Sequence, residues 1–260
     1  FAIIRPMFHL LSRFKNNRVS LKLLCEYSGI DKSKIIDKVI VNLDKKVASL
    51  TYVGAGNVLK NSLVFKILDC DNSCIKSDVE RGAIAAITDK QVSNLPCIVV
   101  DNPMFVYAKM ANYYRSSVSA PVTAVVGSIG KTTTKMMLGT VYSQYFRTCY
   151  ENGNYTNIRN ILHLCQHLQK RYKQIICEIS EADYGTIEAA SIALTPKVSV
   201  ITAIDMSHME EYGDAEEIKR QVCSISKHMD KDGVVVINKD EFDSFEYLNG
   251  RKIITISQKD

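Results

Sequence analysis

Apolar residues fall in short runs along this chain, and between the runs they return at helical spacing. Five runs in the second half read as strands: 122–126, 174–179, 198–204, 233–237 and 252–256. Between them, 131–145, 157–169, 185–193 and 215–228 carry the three-to-four-residue apolar period of helices. Strands alternating with helices predict a parallel sheet covered on both faces. A ligand of such a sheet sits at the carboxyl ends of its strands.

The first half has the same alternation in a smaller format. Leu63-Val64-Phe65-Lys66-Ile67, Ala83-Ile84-Ala85-Ala86-Ile87 and Cys97-Ile98-Val99-Val100-Asp101 read as strands. A helix ends between Ser77 and Gly82, and Met104 to Arg115 is amphipathic, with Met104, Ala108, Ala111 and Tyr114 near one face. Ser20 to Gly29 reads as a short capped helix closed by its glycine. The small, polar stretch Ser116-Ser117-Val118-Ser119-Ala120-Pro121 marks a boundary. The organisation expected is a helical lead-in over 1–40, a small α/β domain over 41–118 and a parallel-sheet domain over 119–260. The chain opens on Phe1, not Met, and reads as a fragment at that end.

Composition adds limits. The chain has 260 residues, 46% hydrophobic and 23% charged, which suits one or two globular domains with their own cores. A net charge of +5 favours an anionic ligand but falls short of the footprint of a nucleic-acid binder. No apolar stretch has the length of a membrane span. The eight cysteines form no CxxC pair, and Cys97 and Cys177 lie in apolar runs. They read as buried thiols of a reducing cytoplasm, not as disulfides or zinc ligands.

The most specific chemistry lies in Gly127-Ser128-Ile129-Gly130-Lys131-Thr132-Thr133-Thr134, between the run 122–126 and a helical pattern. Strand, glycine-rich turn and helix N-terminus together make a phosphate cradle, and Lys131 adds a point charge. The loop is short, because Val125 stands where the usual pattern has its first glycine. Thr132 follows the lysine, where a hydroxyl ordinarily reaches Mg²⁺. The residues therefore predict nucleoside triphosphate binding by Gly127, Ser128, Gly130, Lys131, Thr132 and Thr133.

Other polar groups gather at strand ends. Glu178 closes the run 174–179 between apolar flanks, and a carboxylate beside a phosphate loop holds Mg²⁺ directly or through water. His208 follows the next run and is a candidate metal ligand or phosphate contact, or a structural histidine. Glu151-Asn152-Gly153-Asn154-Tyr155-Thr156-Asn157 is an amide-rich turn before a helix. Its side chains either read phosphate or a polar substrate, or serve as turn and N-cap chemistry, with Asn157 as cap.

In this order, GSIGKTTTK, GNYTN, a strand ending in Glu178, SHMEEYGDAEEI and a strand leading to Asn238-Lys239-Asp240-Glu241 resemble the Mur ligase family. Within that family the pattern is nearest to members that add D-alanyl-D-alanine to a UDP-muramoyl tripeptide. The resemblance reaches back through Leu50-Thr51-Tyr52, Asn61 to Phe65, Gly82 to Ile87 and Pro96 to Pro103, so it spans about 45–257. It implies an ATP- and Mg²⁺-dependent carboxylate–amine ligase of peptidoglycan precursor synthesis, working through an acyl phosphate in the cytoplasm. A UDP-muramoyl peptide-like acceptor and an amino acid or dipeptide would be its substrates. By the same resemblance, Lys131 holds the β- and γ-phosphates, and Thr132 and Glu178 hold one Mg²⁺. His208 serves a second metal. Asn154 and Asn157 face the γ-phosphate and the acceptor carboxylate, with Thr156 beside them in the substrate set, and Asn238 and Asp240 lie near the adenosine. Lys131, Glu178 and His208 form the catalytic set.

The chain departs from the family in several places. Val53-Gly54-Ala55 stands where an Asp-Ser-Arg run serves the uridine, which weakens the expectation of UDP-sugar binding. Val222 stands where a carbamylated lysine often carries metal; Lys219 is one helical turn away as a substitute, or the second metal site is weak. Ser180 replaces a glycine and Thr156 an asparagine. The family has a third, C-terminal Rossmann-like domain that brings the amino substrate, and this sequence stops at Asp260, before the central sheet would be complete, which predicts an exposed sheet edge. The alternative function is therefore a degenerate nucleotide-binding scaffold or regulatory module. A kinase or GTPase fits less well, because Asn238-Lys239-Asp240-Glu241 has the wrong spacing to read guanine.

Overall fold

The computed structural model describes residues 19–31, 41–56, 58–67, 71–150, 156–181, 183–204, 214–240, 242, 245–248 and 250–257. The chain forms two compact units, Phe1–Tyr113 and Tyr114–Asp260.

The first unit begins with β1 (Val19–Ser20), which leads into α1 (Leu21–Ser28) and pairs antiparallel with β2 (Lys46–Val47). The Ser20 hydroxyl accepts from the Leu23 amide, and Gly29, at φ 75°, closes the helix in the left-handed region. A four-stranded parallel sheet follows, in the order β3 (Ser49–Tyr52), β4 (Ser62–Phe65), β5 (Ala85–Thr88), β6 (Cys97–Val99). Helix α2 (Asn72–Glu80) connects β4 to β5, and α3 (Pro103–Arg115) follows β6. Strands β4 and β5 are buried throughout, as parallel strands covered on both faces must be. Phe65 and Tyr107 stack with centroids 4.3 Å apart, and the buried Tyr107 hydroxyl donates to the Leu50 carbonyl at 3.1 Å.

The second unit holds a six-stranded parallel sheet. Its strands are β7 (Val122–Val126), β8 (Thr148–Cys149), β9 (Gln174–Glu178), β10 (Val198–Ile201), β11 (Val234–Asn238) and β12 (Lys252–Ile256). Their spatial order is β12-β11-β10-β7-β9-β8. Helices α4 (Lys131–Ser143), α5 (Ile158–His167), α6 (Thr186–Leu194) and α7 (Ala215–Cys223) connect them. Strand β7 is wholly buried, and so is β9, including Gln174, whose side chain donates to the Thr123 hydroxyl at 3.0 Å. After β7 the chain runs to the β8 edge, returns to β9, then crosses to β10 on the other flank of β7. That reversal opens a crevice at the carboxyl end of β7.

Over the described residues the elements read from the sequence are present, with ends shifted by a few residues and with short strands the pattern did not show. Strand β10 stops at Ile201 because Thr202 and Ala203 leave the sheet to pack on the loop after β7, where Ile129 and Ala203 form an isolated antiparallel bridge. Helix α7 ends at Cys223, and one 3₁₀ turn, Ser224–Ser226, finishes the segment. The two-residue edge strand β8 is too short to show a period and went unread. Most of the lead-in over 1–40 lies outside the described residues. Among the described residues six cysteines are buried free thiols, and Cys74 is a partly buried one. Among the described residues no helix is long and apolar enough to cross a membrane.

Candidate functional site

Register sets the site. Val125 pairs with Glu178 and Val126 with Ile201, so the loop leaving β7 has Glu178 on one flank and Thr202 on the other. Gly127 is buried at φ 122°, and a Cβ there would lie 2.4 Å from Thr202 Oγ1 and 2.8 Å from the Ala203 carbonyl. Only glycine fits both that conformation and that approach. The Ser128 amide donates to the Ala203 carbonyl at 2.6 Å, so this N–H fastens the loop to the end of β10. Gly130 opens α4 at φ 84° with no side-chain cap. The first intrahelical bond runs from the Thr134 amide to the Gly130 carbonyl at 2.9 Å. The amides of Lys131, Thr132 and Thr133 precede it and point out of the helix end, where an anion is stabilised.

Two ion pairs lie under that helix end. The Lys131 ammonium is 3.0 Å from Glu181 Oε2 and 3.2 Å from Oε1, and it donates to the Ser128 carbonyl at 3.1 Å. One turn along α4, the buried Lys135 is 2.8 Å from Glu178 Oε2. Among the described residues that oxygen has no aligned hydrogen bond, and the Lys135 ammonium is the charge beside it. Glu178 Oε1 accepts from the Thr132 hydroxyl at 2.8 Å. Lys135 and Glu178 are almost entirely withdrawn from water, at 2% and 3% side-chain exposure, where an unpaired charge of either sign is costly.

The pairing of Thr132 with Glu178 is an all-oxygen donor set, the kind a hard divalent cation takes. A carboxylate and a hydroxyl already within hydrogen-bond reach fit Mg²⁺ without rearranging the strand ends. The loop and helix end fit a polyphosphate: amides, a lysine and a backbone that allows close approach.

The remaining expected site residues divide as follows. Thr133 is exposed in the first turn of α4. Thr156 accepts the Ser180 amide through its carbonyl at 3.1 Å, which ties the start of α5 to the end of β9. Asn157 caps α5, with Oδ1 accepting from the Asn160 amide at 3.0 Å. Asn238 ends β11, and its Oδ1 accepts the Asp240 amide at 3.1 Å; the Ser257 hydroxyl lies 2.9 Å from both Asp240 carboxylate oxygens. These two stand on the same edge of the sheet as the loop, two strands away. His208 and Asn154 lie outside the described residues. Val222 is fully buried and offers no metal-binding atom, while Lys219 pairs with Glu216 at 3.1 Å. Sequence reasoning missed Lys135 and Glu181. The signal for Lys135 was its place one turn after Lys131; for Glu181, its place just beyond a strand end.

A parallel sheet with a glycine loop and lysine at its switch point is the architecture of P-loop nucleotide-binding domains. Residues 125–260 match the Mur ligase middle domain, and the chain belongs to that family. It is 30% identical over 167 residues to the UDP-N-acetylmuramoyl-tripeptide–D-alanyl-D-alanine ligase of Rickettsia prowazekii, covering 63% of this chain and 37% of that protein. The enzyme of the same name from Bacillus subtilis is 29% identical over 174 residues, covering 65% and 38%. Among solved structures, MurF from Acinetobacter baumannii superposes with a TM-score of 0.66 at 20% identity, over 92% of this chain and 53% of that one. MurF ligase from Thermotoga maritima in complex with ADP gives 0.64 at 21% identity, over 81% and 51%. At such identities these structures show the likeness of fold. The chain spans about half the length of the solved chains and less of the curated relatives.

Proposed function

We propose that this chain supplies the nucleotide site of a Mur-type, ATP-dependent carboxylate–amine ligase acting in the cytoplasm on peptidoglycan precursors. The observation that carries the reading is the Thr132 hydroxyl on Glu178 Oε1 at 2.8 Å, beside a phosphate loop whose lysine lies under the same helix end. When bound, ATP with Mg²⁺ supplies the phosphoryl group that activates a carboxylate toward an amine. The residues of this chain position and neutralise. Lys131 and the first amides of α4 meet the β- and γ-phosphates, with Gly127 letting the backbone approach. Thr132 and Glu178 hold the cation. Lys135 fixes Glu178 by its far oxygen, which leaves Oε1 facing the loop. Asn238 and Asp240 lie toward the adenosine, Thr156 and Asn157 toward the acceptor, and His208 and Asn154 complete the set. The segment 41–118 is the domain that takes the acceptor, and 119–260 the domain that takes ATP.

The acceptor in this reading is a UDP-muramoyl peptide and the amine an amino acid or dipeptide. A nucleotide-binding scaffold is the second reading, favoured by the fully buried Val222 in the place of a metal-carrying lysine. One experiment separates them. ADP release is followed with Mg²⁺ and ATP, with and without UDP-muramoyl peptides plus D-alanyl-D-alanine, in the whole protein. The ligase predicts release stimulated by both substrates together and abolished by Lys131→Ala. Nucleotide binding without stimulated release supports the scaffold. Lys131→Ala removes charge-assisted hydrogen bonds to phosphate, so its MgATP affinity falls about a hundredfold.

A further inference from the structure

An ammonium group has three N–H donors. Around Lys131 Nζ stand three acceptors: the Ser128 carbonyl at 3.1 Å and the two Glu181 oxygens at 3.2 and 3.0 Å. Both partners are withdrawn from water, with side-chain exposures of 14% for Lys131 and 2% for Glu181. Glu181 lies just beyond the end of β9, so the carboxylate is delivered from the strand beside the loop and not from the loop itself. A phosphate seated on the amides of Lys131, Thr132 and Thr133 takes the same ammonium. It also meets the Glu181 carboxylate at short range, in surroundings where like charges repel strongly.

We propose that Glu181 is a positioning residue of the nucleotide site: it clamps the phosphate-loop lysine, and nucleotide phosphate binds by opening that clamp. Glu181 thereby sets how tightly nucleotide is held and favours phosphate that arrives with a cation to offset its charge. The inference rests on the nucleotide-binding reading above. A clamp lowers apparent affinity by the fraction of molecules in which Lys131 is available. Glu181→Gln keeps the size of the side chain and one acceptor oxygen but removes the charge, and one of the two acceptors, that hold the ammonium.

The test measures ADP affinity by calorimetry on the whole protein, with Mg²⁺ and with EDTA, for wild type, Glu181→Gln, Glu181→Asp and Lys131→Ala. E181Q is expected to bind MgADP about tenfold tighter than wild type, and metal-free ADP tighter as well. E181D, one methylene shorter, falls between the two. Unchanged or weaker binding by E181Q in either condition overturns the proposal; weakening confined to Mg²⁺ would make Glu181 a cation ligand instead. Should E181Q not fold, E181D carries the same comparison, and affinity equal to or below wild type overturns the clamp. If Lys131→Ala binds ADP as wild type does, the nucleotide reading itself fails. If Lys131→Ala loses binding and E181Q matches wild type, the clamp alone fails.

Discussion

After β3 the first unit turns through Val53-Gly54-Ala55, and after β7 the second turns through Gly127-Ser128-Ile129-Gly130. Both turns leave a parallel strand, both use glycines at positive φ (79° at Gly54; 122° and 84° at Gly127 and Gly130), and both have a buried carboxylate close by. They spend that carboxylate differently. Asp78, 1% exposed, accepts the Gly54 amide at 2.9 Å and has the Arg81 guanidinium at 3.7 Å. The anion for this turn is already part of the chain. After β7, Glu178 and Glu181 take lysine ammonium groups instead, and the helix amides that precede Thr134 stay turned toward the crevice. The same local parts make a closed structural turn in one unit and a ligand-ready end in the other. What decides between them is whether the nearest carboxylate reaches backbone or side chain.

The largest effect that tests this contrast comes from unbalancing each carboxylate. Lys135→Met keeps an unbranched side chain one atom shorter and removes the charge, leaving Glu178 without its buried cation. We expect a loss of about 3–5 kcal/mol in unfolding free energy by urea titration. Asp78→Asn keeps an acceptor for the Gly54 amide and is expected to cost about 1 kcal/mol. Adding Glu178→Gln to Lys135→Met removes the stranded charge and returns most of the loss, because the two sites share one interaction. Equal costs for Lys135→Met and Asp78→Asn would break the contrast, since both carboxylates would then be structural in the same way.

The two regions also differ in how much of them was legible. The strand, the glycines and the helix start around the phosphate loop are written in consecutive residues, Val122 to Thr134, and a local pattern suffices. Asn157 was read as a cap or a ligand contact, and its Oδ1 caps α5. Lys135 and Glu181 went unassigned because their roles depend on partners in another strand–helix unit: Lys131 and Glu181 are joined only when β7 and β9 become neighbours. Spacing along the chain carries no trace of that pairing. Strand β8 stayed hidden for a different reason, since two residues cannot display a period. Val53-Gly54-Ala55 was noticed as an absence of uridine-reading side chains, whereas its hold on Asp78 is a long-range bond that only the folded unit reveals.

A smaller effect separates the turns by sterics. Alanine at Gly127 faces a 2.4 Å contact with Thr202 Oγ1 and a 2.8 Å contact with the Ala203 carbonyl, in a backbone that side chains avoid. We expect about 2–4 kcal/mol of destabilisation, with weaker MgADP binding as the loop shifts. Alanine at Gly54 meets nothing within 4 Å and carries only the cost of its left-handed backbone, about 1 kcal/mol. Chemical denaturation of the two variants gives the ratio directly. A Gly54→Ala variant as unstable as Gly127→Ala would mean that strain, not close approach, governs both turns.

The smallest effect is a pH dependence in the unit that carries the loop. Among the described residues every histidine lies in the second unit. On α5 the His163 and His167 rings are 4.0 Å apart, and His167 Nδ1 donates to the His163 carbonyl at 2.8 Å. Burial, reinforced by the neighbouring His167, pushes the His163 imidazole down from 6.5 to about 4, and burial also lowers His167. An imidazole held neutral in the fold takes up its proton more readily when unfolded. The unfolded chain therefore binds more protons between pH 6.5 and 4, and stability falls as the pH drops through that window. His163→Gln cannot titrate, so its melting temperature should decline less between pH 7 and 5. The gap to wild type should narrow by the equivalent of about 1 kcal/mol. A gap that stays constant over those pH values would show that the His163 imidazole takes up its proton equally in the folded and unfolded states, against the burial that lowers it.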